Sequence, residues 1–413
     1  MIATLYAGTA RLAAPLLRQM LRGRARRGKE IAARLPERWG GEVPSRPPGR
    51  LIWLHAASLG ETQSVLPVLA QLAQADAAVL ITTGTRTAQA LLQERLPALD
   101  PAGRVSQRFV PLDVPAWVDR FLEGWRPDAA AFVESEIWPN LLAGLAARRV
   151  PAMLVNARLS ARSLARWQKV PGFATRLFGG FAEVWAQSAE DAARLRALGA
   201  KGAISPGNLK FAAPTLPAEA AALAQLRAQL DGRPVWLAAS VHPGEAAALQ
   251  AAQAALEARI AGLVTILAPR HPQRWAEMQA PRRSRGEALR PGVYLADTMG
   301  ELGLWYRLAP LSFVGGSLIP HGGQNVLEPA RLGGAVAIGP HCWNFAEPVA
   351  RLEAAGGLTR VADAPALAGW AGRLLADPAA LAASGAAALE AANADAGLPQ
   401  AVAATLLRLA GAS

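Results

Sequence analysis

The chain has 413 residues, which is enough for two domains that each bury a full hydrophobic core. Because 52% of the residues are hydrophobic and only 18% are charged, the composition excludes an intrinsically disordered chain. The single cysteine, Cys342, excludes an intrachain disulfide and a cysteine metal cluster. The five histidines form no zinc-binding motif, so we predict no metal site.

The formal net charge of +12 comes mainly from residues 1–50, which contain eleven basic and three acidic side chains. A basic N-terminal segment implies an anionic partner, such as an anionic lipid surface, a phosphorylated acceptor or nucleic acid. No sequence motif of an RNA- or DNA-binding protein accompanies these residues. We therefore expect no nucleic-acid partner.

The first twenty residues are apolar apart from two arginines. At helical spacing, one side of this segment carries the apolar residues Leu5, Leu12, Leu16 and Met20. Another side carries the basic residues Arg11, Arg18 and Arg22. The pattern predicts an amphipathic helix that lies in a membrane interface, or a short span, with the arginine-rich end and everything after it in the cytoplasm. An ordinary helix packed on the first domain is the alternative.

Strands and helices alternate from residue 51 onward. In the first half, apolar runs that predict strands cover residues 51–55, 78–82, 109–112, 129–133 and 151–156. Amphipathic segments that predict helices lie between them, at residues 62–74, 87–95, 116–124 and 140–149. Short apolar runs between amphipathic helices are typical of a parallel sheet that is covered on both faces.

Residues 211–219 contain two prolines and predict a linker to a second alternating series, with strands at 235–239, 263–268, 293–295, 311–314 and 335–338. We therefore predict an α/β protein with two doubly wound, Rossmann-like domains that face each other across a cleft and bind ligands at the carboxyl ends of their strands. The expected division is an N-terminal segment 1–40, a first domain 41–212 and a second domain 213–413 with closing C-terminal helices. Neither GxGxxG nor GxxxxGK[ST] is present, which disfavours a dinucleotide dehydrogenase and a P-loop nucleotidase.

Polar side chains follow the predicted strands of the first domain. Glu61 lies at the start of the first helix, where it could serve as a general base or simply stabilise the helix N-terminus. Glu134 and Glu136 leave a buried strand on the same side, so they need hydrogen bonds or countercharges. Arg158 and Lys210 are candidate countercharges for an anionic substrate; the alternative is two surface bases.

The second domain repeats this arrangement, with polar segments at residues 240–245, 269–272 and 298–302. Residues 312–345 then contain a strand, two Gly-Gly pairs and a predicted helix that opens near Asn325. Glycines and the unpaired N–H groups of a helix start suit a phosphate, and the Glu328 carboxylate suits the hydroxyls of a ribose. These residues predict a nucleotide site; a glycine-rich turn capped by Asn325, with Glu328 serving the helix dipole, is the alternative.

Nine motifs between Arg38 and Phe345 resemble the 3-deoxy-D-manno-octulosonic acid (Kdo) transferases: HAASLGET, ITTGTRTAQA, ESEIWPN, NARLSARS, GNLKF, ASVHPGE, APRHPQR, MGELGLWY and FVGGSLIPHGGQNVLEPA. The resemblance implies an inverting glycosyltransferase of GT-B fold. It implies transfer of Kdo from its cytidine monophosphate ester, CMP-Kdo, to the phosphorylated lipid A precursor, lipid IVA. That reaction belongs to lipopolysaccharide biosynthesis, at the cytoplasmic face of the cell inner membrane, whose anionic surface is an expected partner.

The resemblance also implies roles for individual residues. Glu61 corresponds to the general base, and Glu136 and Lys210 correspond to residues that stabilise the transition state. The CMP-binding segments correspond to Pro269 and Arg270, to Met299, Gly300 and Glu301, and to Asn325, Val326, Leu327 and Glu328. CMP-Kdo is a substrate, so we expect no cofactor and no metal.

Chemistry adds two expectations. The leaving phosphate is a weak base that needs positive charge and N–H groups, which Ser240 and His242 could supply together with Asn325. The carboxylate of Kdo could pair with Arg158 or Lys210. The sequence departs from the resemblance at Gln324, where many relatives have histidine, and we expect this difference to have a mild effect on function.

Two other functions remain open from the sequence. One is a different GT-B enzyme, such as a sugar-nucleotide epimerase or a UDP-sugar transferase. The other is a non-catalytic protein that binds anionic lipid through residues 1–50.

Overall fold

The structure is a computed structural model that describes residues 2–41 and 46–411. Glu42, one of the three acids counted in the N-terminal segment, lies outside these ranges. The chain divides into two compact units: the first comprises Met1–Ala213 and Asp395–Ser413, and the second comprises Pro214–Ala394.

The first unit is built on a six-stranded parallel sheet. Its strands are β1 (Leu51–His55), β2 (Ala78–Thr83), β3 (Val105–Phe109), β4 (Ala129–Val133), β5 (Ala152–Ala157) and β6 (Glu183–Ala186). They are ordered β3-β2-β1-β4-β5-β6, so the direction of strand addition reverses between β1 and β4. In a doubly wound sheet, this reversal opens a crevice at the carboxyl ends of the two strands, where ligands bind.

Eight helices accompany this sheet in the first part of the chain: α1 (Ile2–Arg26), α2 (Leu59–Ala73), α3 (Arg86–Leu99), α4 (Pro115–Trp125), α5 (Pro139–Ala147), α6 (Ala161–Trp167), α7 (Pro171–Phe178) and α8 (Ala189–Ala197). Several of them begin at a hydroxyl residue because its oxygen accepts a hydrogen bond from an otherwise unpaired backbone N–H. Ser58 caps α2, Thr85 caps α3 and Ser188 caps α8 in this way.

The second unit repeats the topology. Its strands are β7 (Val235–Val241), β8 (Val264–Pro269), β9 (Gly292–Leu295), β10 (Leu311–Val314), β11 (Ala335–Ile338) and β12 (Leu358–Arg360). They are ordered β12-β11-β10-β7-β8-β9, which places the reversal between β7 and β10. The helices are α9 (Ala220–Leu230), α10 (Ala246–Glu257), α11 (Leu302–Leu308), α12 (Leu327–Ala330), α13 (Ala346–Ala354), α14 (Ala364–Ala376) and α15 (Pro378–Asn393). The predicted α/β class with two Rossmann-like domains is confirmed.

The last helix, α16 (Leu398–Gly411), belongs to the first unit. Its apolar face, which includes Val402 and Leu406, is buried in the same core cluster as Val65 and Leu69 of α2. The prediction that residues 213–413 form one domain is therefore wrong for the residues after Ala394. The physical reason is that α2, β1 and β4 present an apolar surface that α16 covers.

Three strand predictions differ from the structure. The predicted strand at 109–112 lies instead at Val105–Phe109, whose residues are mostly half-buried at the sheet edge. The edge strands β6 and β12 were missed, since each has only three or four residues and a mixed burial pattern. Edge strands lack the continuous apolar run that marks a strand covered on both faces.

Helix α1 packs against the first unit through one face. The Tyr6 hydroxyl donates to Asp113 at 3.0 Å, Arg18 lies over the rings of Trp39 and Trp117, and Leu21 is buried. Within the described ranges, no single helix is both long and apolar enough for a membrane span. One pair of helical segments in these ranges, Ala364–Ala376 and Pro378–Gly411, meets that test jointly, with a bend of 108° between them.

Candidate active site

In the first unit, Glu61 lies in the first turn of α2, directly after β1. Its two carboxylate oxygens accept hydrogen bonds from the Ala57 backbone N–H at 2.8 Å and from the Ser58 hydroxyl at 2.7 Å. The Ser58 hydroxyl oxygen in turn accepts from the Glu61 backbone N–H at 3.3 Å. This reciprocal pairing of Ser58 with Glu61, three residues later, holds the carboxylate at the carboxyl end of the sheet.

The surroundings of Glu61 favour its protonated form. Burial raises the pKa of the Glu61 carboxyl, the hydrogen bonds from Ser58 and Ala57 oppose that rise, and the negative charges of Glu136 and Glu134 add to it. A carboxylate whose pKa is raised accepts a proton more readily than an ordinary glutamate. Glu61 therefore has the properties of a general base as well as those of a helix cap.

Lys210 forms an ion pair with Glu134, which was not among the predicted catalytic residues. Its Nζ lies 2.6 Å from the Glu134 carboxylate, and Glu134 has a left-handed backbone φ of 56° immediately after β4. The Lys210 backbone N–H donates to Asn208 at 3.0 Å, and the Leu209 N–H donates to Asn156 at 2.9 Å. The ESEIWPN motif contains Glu134, but its spacing alone does not show which acid Lys210 pairs with.

Glu136 is held by two ring nitrogens. His55 Nε2 lies 3.3 Å from the Glu136 carboxylate, and Trp138 Nε1 donates to the same oxygen at 2.7 Å. Burial favours the neutral carboxyl, but the hydrogen bond and charge of His55 together with Trp138 outweigh it and hold the pKa of Glu136 below its usual value. His55 is fully buried and its Nδ1 contacts Thr82. His55 is the first residue of the HAASLGET motif, but it was assigned no role from the sequence.

In the second unit, the Glu245 carboxylate organises the loop after β10. Glu245 is fully buried and accepts four backbone N–H hydrogen bonds, from His242, Gly316, Ser317 and Leu318, at 2.7–3.0 Å. These bonds tie the ends of β7 and β10 together at the strand-order reversal. Glu245 was not predicted as a site residue, although it ends the ASVHPGE motif.

Ser240 and His242 lie at the end of β7. Ser240 has a left-handed φ of 54°, and the pairing of β7 with β8 shifts register there, as expected for a bulge that redirects the following side chains. Burial lowers the pKa of His242, the charges of His321, His271 and Arg270 lower it further, and Glu245 opposes them. The expected Ser240 and His242 thus lie together at this sheet edge.

The segment 325–328 behaves differently from the sequence prediction. The Asn325 side chain accepts from the Leu327 N–H at 3.1 Å and donates to Glu328 at 3.2 Å, as a cap does. However, α12 has only four residues, so the predicted phosphate-binding helix dipole is that of a single turn. Burial raises the pKa of Glu328, while Asn325 and the charges of Arg331 and Arg270 oppose the rise. Val326 and Leu327 are buried.

Pro269 ends β8 and Arg270 is exposed directly after it. Because the Arg270 charge acts on both His242 and Glu328, these three groups share one region of the second unit.

The remaining predicted residues follow strands β9 and β5. Met299 and Gly300 are exposed after β9. The Glu301 carboxylate is engaged by Arg283 at 2.8 Å and by the Thr298 hydroxyl, so it has a structural partner. Arg158, after β5, is exposed.

No group of three or more histidine, cysteine, aspartate or glutamate side chains in residues 2–41 and 46–411 could hold a metal ion. The candidate site residues fall into two sets of strand-end residues, one within each unit. The first set contains Glu61, Glu134, Glu136 and Lys210, and the second contains Ser240, His242, Arg270, Asn325 and Glu328.

Comparison with known proteins agrees with these features. The family model described as 3-deoxy-D-manno-octulosonic-acid transferase (kdotransferase) matches residues 33–213. The 3-deoxy-D-manno-octulosonic acid transferase of Bordetella pertussis is 37% identical over 386 residues, which cover 89% of this chain and 90% of that protein. The C-terminal CMP-Kdo binding domain of WaaA from Acinetobacter baumannii is 36% identical, with a TM-score of 0.39, and the match covers 41% of this chain and 96% of that domain.

A similar overall fold occurs in UDP-GlcNAc 2-epimerase from Neisseria meningitidis, with a TM-score of 0.54 and 13% identity over 87% of this chain and all of that one. At that identity the likeness concerns the fold alone. The extended sequence identity to the Bordetella enzyme is the finding that identifies the family. The chain belongs to the 3-deoxy-D-manno-octulosonic acid transferases, which are glycosyltransferases.

Proposed function

We propose that the protein transfers Kdo from CMP-Kdo to a sugar hydroxyl of the lipid A precursor, lipid IVA, by an inverting mechanism that uses no metal ion. The observation that carries this proposal is the Glu61 carboxylate, held by Ala57 and Ser58 at a strand end with a raised pKa. An acceptor hydroxyl is a weak nucleophile until a positioned base takes its proton. Glu61 is the base in this scheme.

In this proposal, Lys210 and Glu136 of the first unit stabilise the charges that develop during transfer. Lys210 brings a positive charge, partly compensated by Glu134, to the region where charge develops during transfer. Glu136 stays ionised because His55 and Trp138 hold it, so it can stabilise positive charge on the sugar ring. Since Glu61 has the raised pKa and Glu136 the lowered one, the two carboxyls suit different roles.

The second unit supplies the donor site in this proposal. Glu328 is placed to accept hydrogen bonds from the ribose hydroxyls, and Asn325 orients its carboxylate. The phosphate is bound by Arg270 and by N–H groups near Ser240. A phosphate ester leaves as a weak base, so it requires positive charge and N–H donors but no proton donor. Direct attack by the hydroxyl on the face opposite the phosphate then inverts the anomeric carbon.

We also propose that α1 places the enzyme on an anionic membrane surface, at the cytoplasmic face of the inner membrane. Leu12 is 83% exposed, and Leu5 and Leu16 are each 68% exposed, so the apolar stripe of α1 is not covered by the first unit. The arginine-rich end of the same helix, with Arg24 and Arg26 in its last turn, suits anionic lipid headgroups. A lipid-linked acceptor in lipopolysaccharide biosynthesis would reach the enzyme at that surface.

The decisive experiment is incubation of the full chain with CMP-Kdo and lipid IVA in excess EDTA, followed by mass spectrometry and NMR of the product. We expect one or more Kdo residues to be added, with the anomeric configuration opposite to that in CMP-Kdo. Competition with CMP, UMP and UDP tests the donor, and CMP should compete best. Absence of product with these substrates, a retained configuration or a requirement for divalent metal would each contradict a stated part of the proposal.

A further inference from the structure

Three histidine rings meet at the carboxyl ends of neighbouring strands in the second unit. His242 follows β7, His271 follows β8 and His321 lies in the loop after β10. The ring centroids of His242 and His321 are 4.5 Å apart, and those of His242 and His271 are 5.9 Å apart with nearly perpendicular planes. The resemblance of the sequence to known enzymes gave no role to His271 or His321.

One nitrogen of the central ring is buried and lacks a hydrogen-bond partner among the described residues. His242 is only 9% exposed, and its Nε2 atom has no hydrogen-bond partner among the described residues. A buried polar nitrogen that lacks a partner is costly unless a ligand satisfies it. His271 and His321, in contrast, are exposed, so they are accessible to a ligand that reaches His242.

The charge around the three rings favours an anion. Arg270 adds a positive charge that acts on His242. The acid that acts on His242 is Glu245, and its two oxygens already accept four backbone N–H hydrogen bonds. The described part of the chain has no group of side chains arranged to hold a metal ion, so the rings are not explained as metal ligands.

We propose that His242, His271 and His321 form a subsite for the carboxylate of the donor sugar; this inference rests on the proposed function. CMP-Kdo carries two anionic groups, the phosphate and the carboxylate of the ulosonic acid. The phosphate has the N–H groups near Ser240 and the Arg270 charge available. A carboxylate presents two oxygens, which can each accept a hydrogen bond from one imidazole N–H.

The same subsite replaces the partners that the sequence suggested for this carboxylate. Lys210 is paired with Glu134 at 2.6 Å, so its charge is already partly compensated. Among residues 2–41 and 46–411, no acid forms a comparable ion pair with these histidines, and the oxygens of Glu245 are already engaged. Recognition of the carboxylate by the donor unit would also let the enzyme distinguish CMP-Kdo from CMP, the product it must release.

The test uses His271→Ala and His321→Ala in the full-length enzyme, because both side chains are exposed and their removal leaves the core intact. The KM for CMP-Kdo and the inhibition constant of CMP are measured for each variant. We expect the KM for CMP-Kdo to rise about tenfold or more, as when one charge-assisted hydrogen bond is lost, with little change in CMP inhibition. His341→Ala is the matched control, and His321→Lys should recover part of the affinity.

Two results would overturn the inference. Equal weakening of CMP-Kdo and CMP, with an unchanged melting temperature, would assign the rings to the phosphate. Unchanged KM values in both alanine variants would remove them from donor recognition. Either result is distinct from failure of the proposed function, because that failure would appear as absence of Kdo transfer by the unsubstituted enzyme.

Discussion

Replacement of Glu61 by glutamine is the most direct test of the chemistry. Glutamine keeps the length of the side chain and an oxygen that can still accept from the Ala57 N–H, but it cannot take a proton from the acceptor. The Ser58 hydroxyl still caps α2 through the backbone of residue 61. We therefore expect a change in the free energy of unfolding of no more than ~1 kcal/mol.

The expected loss is catalytic. A positioned general base contributes a factor of ~10²–10⁴ to the rate, which corresponds to about 3–5 kcal/mol of transition-state stabilisation. We expect kcat to fall by this factor at saturating CMP-Kdo and lipid IVA. The affinity for CMP should stay the same, since the donor residues lie in the other unit. Glu94→Gln, on the exposed face of α3, is the matched control.

The pH dependence provides a second readout of the same group. The base must be ionised, and burial with the charges of Glu136 and Glu134 raises the pKa of Glu61. Activity should therefore fall as the pH decreases through that raised pKa, at a higher pH than for an ordinary glutamate. The assay is kcat against pH. A Glu61→Gln enzyme that retains kcat within tenfold of the unsubstituted enzyme would refute the assignment.

Three further outcomes are expected. Glu328→Gln should weaken CMP binding by about tenfold in calorimetry, because a ribose hydroxyl loses a charged acceptor. The exposed control Glu390→Gln should not weaken CMP binding. Equal affinities of the two variants would place the ribose elsewhere. Leu12→Glu should reduce sedimentation with anionic vesicles at least tenfold, because burying one leucine contributes ~1.5–3 kcal/mol. Unchanged binding, or an equal loss for Leu389→Glu on α15, would argue against docking by α1. Leu406→Ala should lower the free energy of unfolding of the first unit by ~2–5 kcal/mol in urea, because it removes a buried side chain. The exposed control Leu389→Ala should have a much smaller effect on stability. A mild effect of Leu406→Ala would mean that α16 does not complete the core.

Much of the architecture follows from local sequence patterns. The runs at β1, β4 and β7 are apolar throughout because both faces of the sheet are covered, and their limits were predicted within two residues. The edge strand β3 was harder to predict because it is half-buried along most of its length and mixes polar with apolar side chains. The pattern of α16 predicts a helix with an apolar face, but an apolar face does not specify which surface it will cover.

Local patterns indicate where the candidate residues lie in the fold, but not how they pair. Glu61 was expected at the start of the first helix, and it lies in the first turn of α2, where it exchanges hydrogen bonds with Ser58. The contact of Lys210 with Glu134 depends on a left-handed φ after β4 and on a segment 76 residues later in the chain, so no local pattern reports it. The grouping of His242 with His271 and His321 likewise depends on the strand order.

The packing of α16 has a consequence for biosynthesis. During translation, the ribosome must produce the whole of the second unit before the helix that completes the first can leave the exit tunnel. Until then, the nascent chain exposes the apolar flank formed by α2 with β1 and β4. We expect that flank to be prone to aggregation until α16 emerges, and a prematurely terminated chain that lacks α16 to be degraded rather than to act as a half-enzyme.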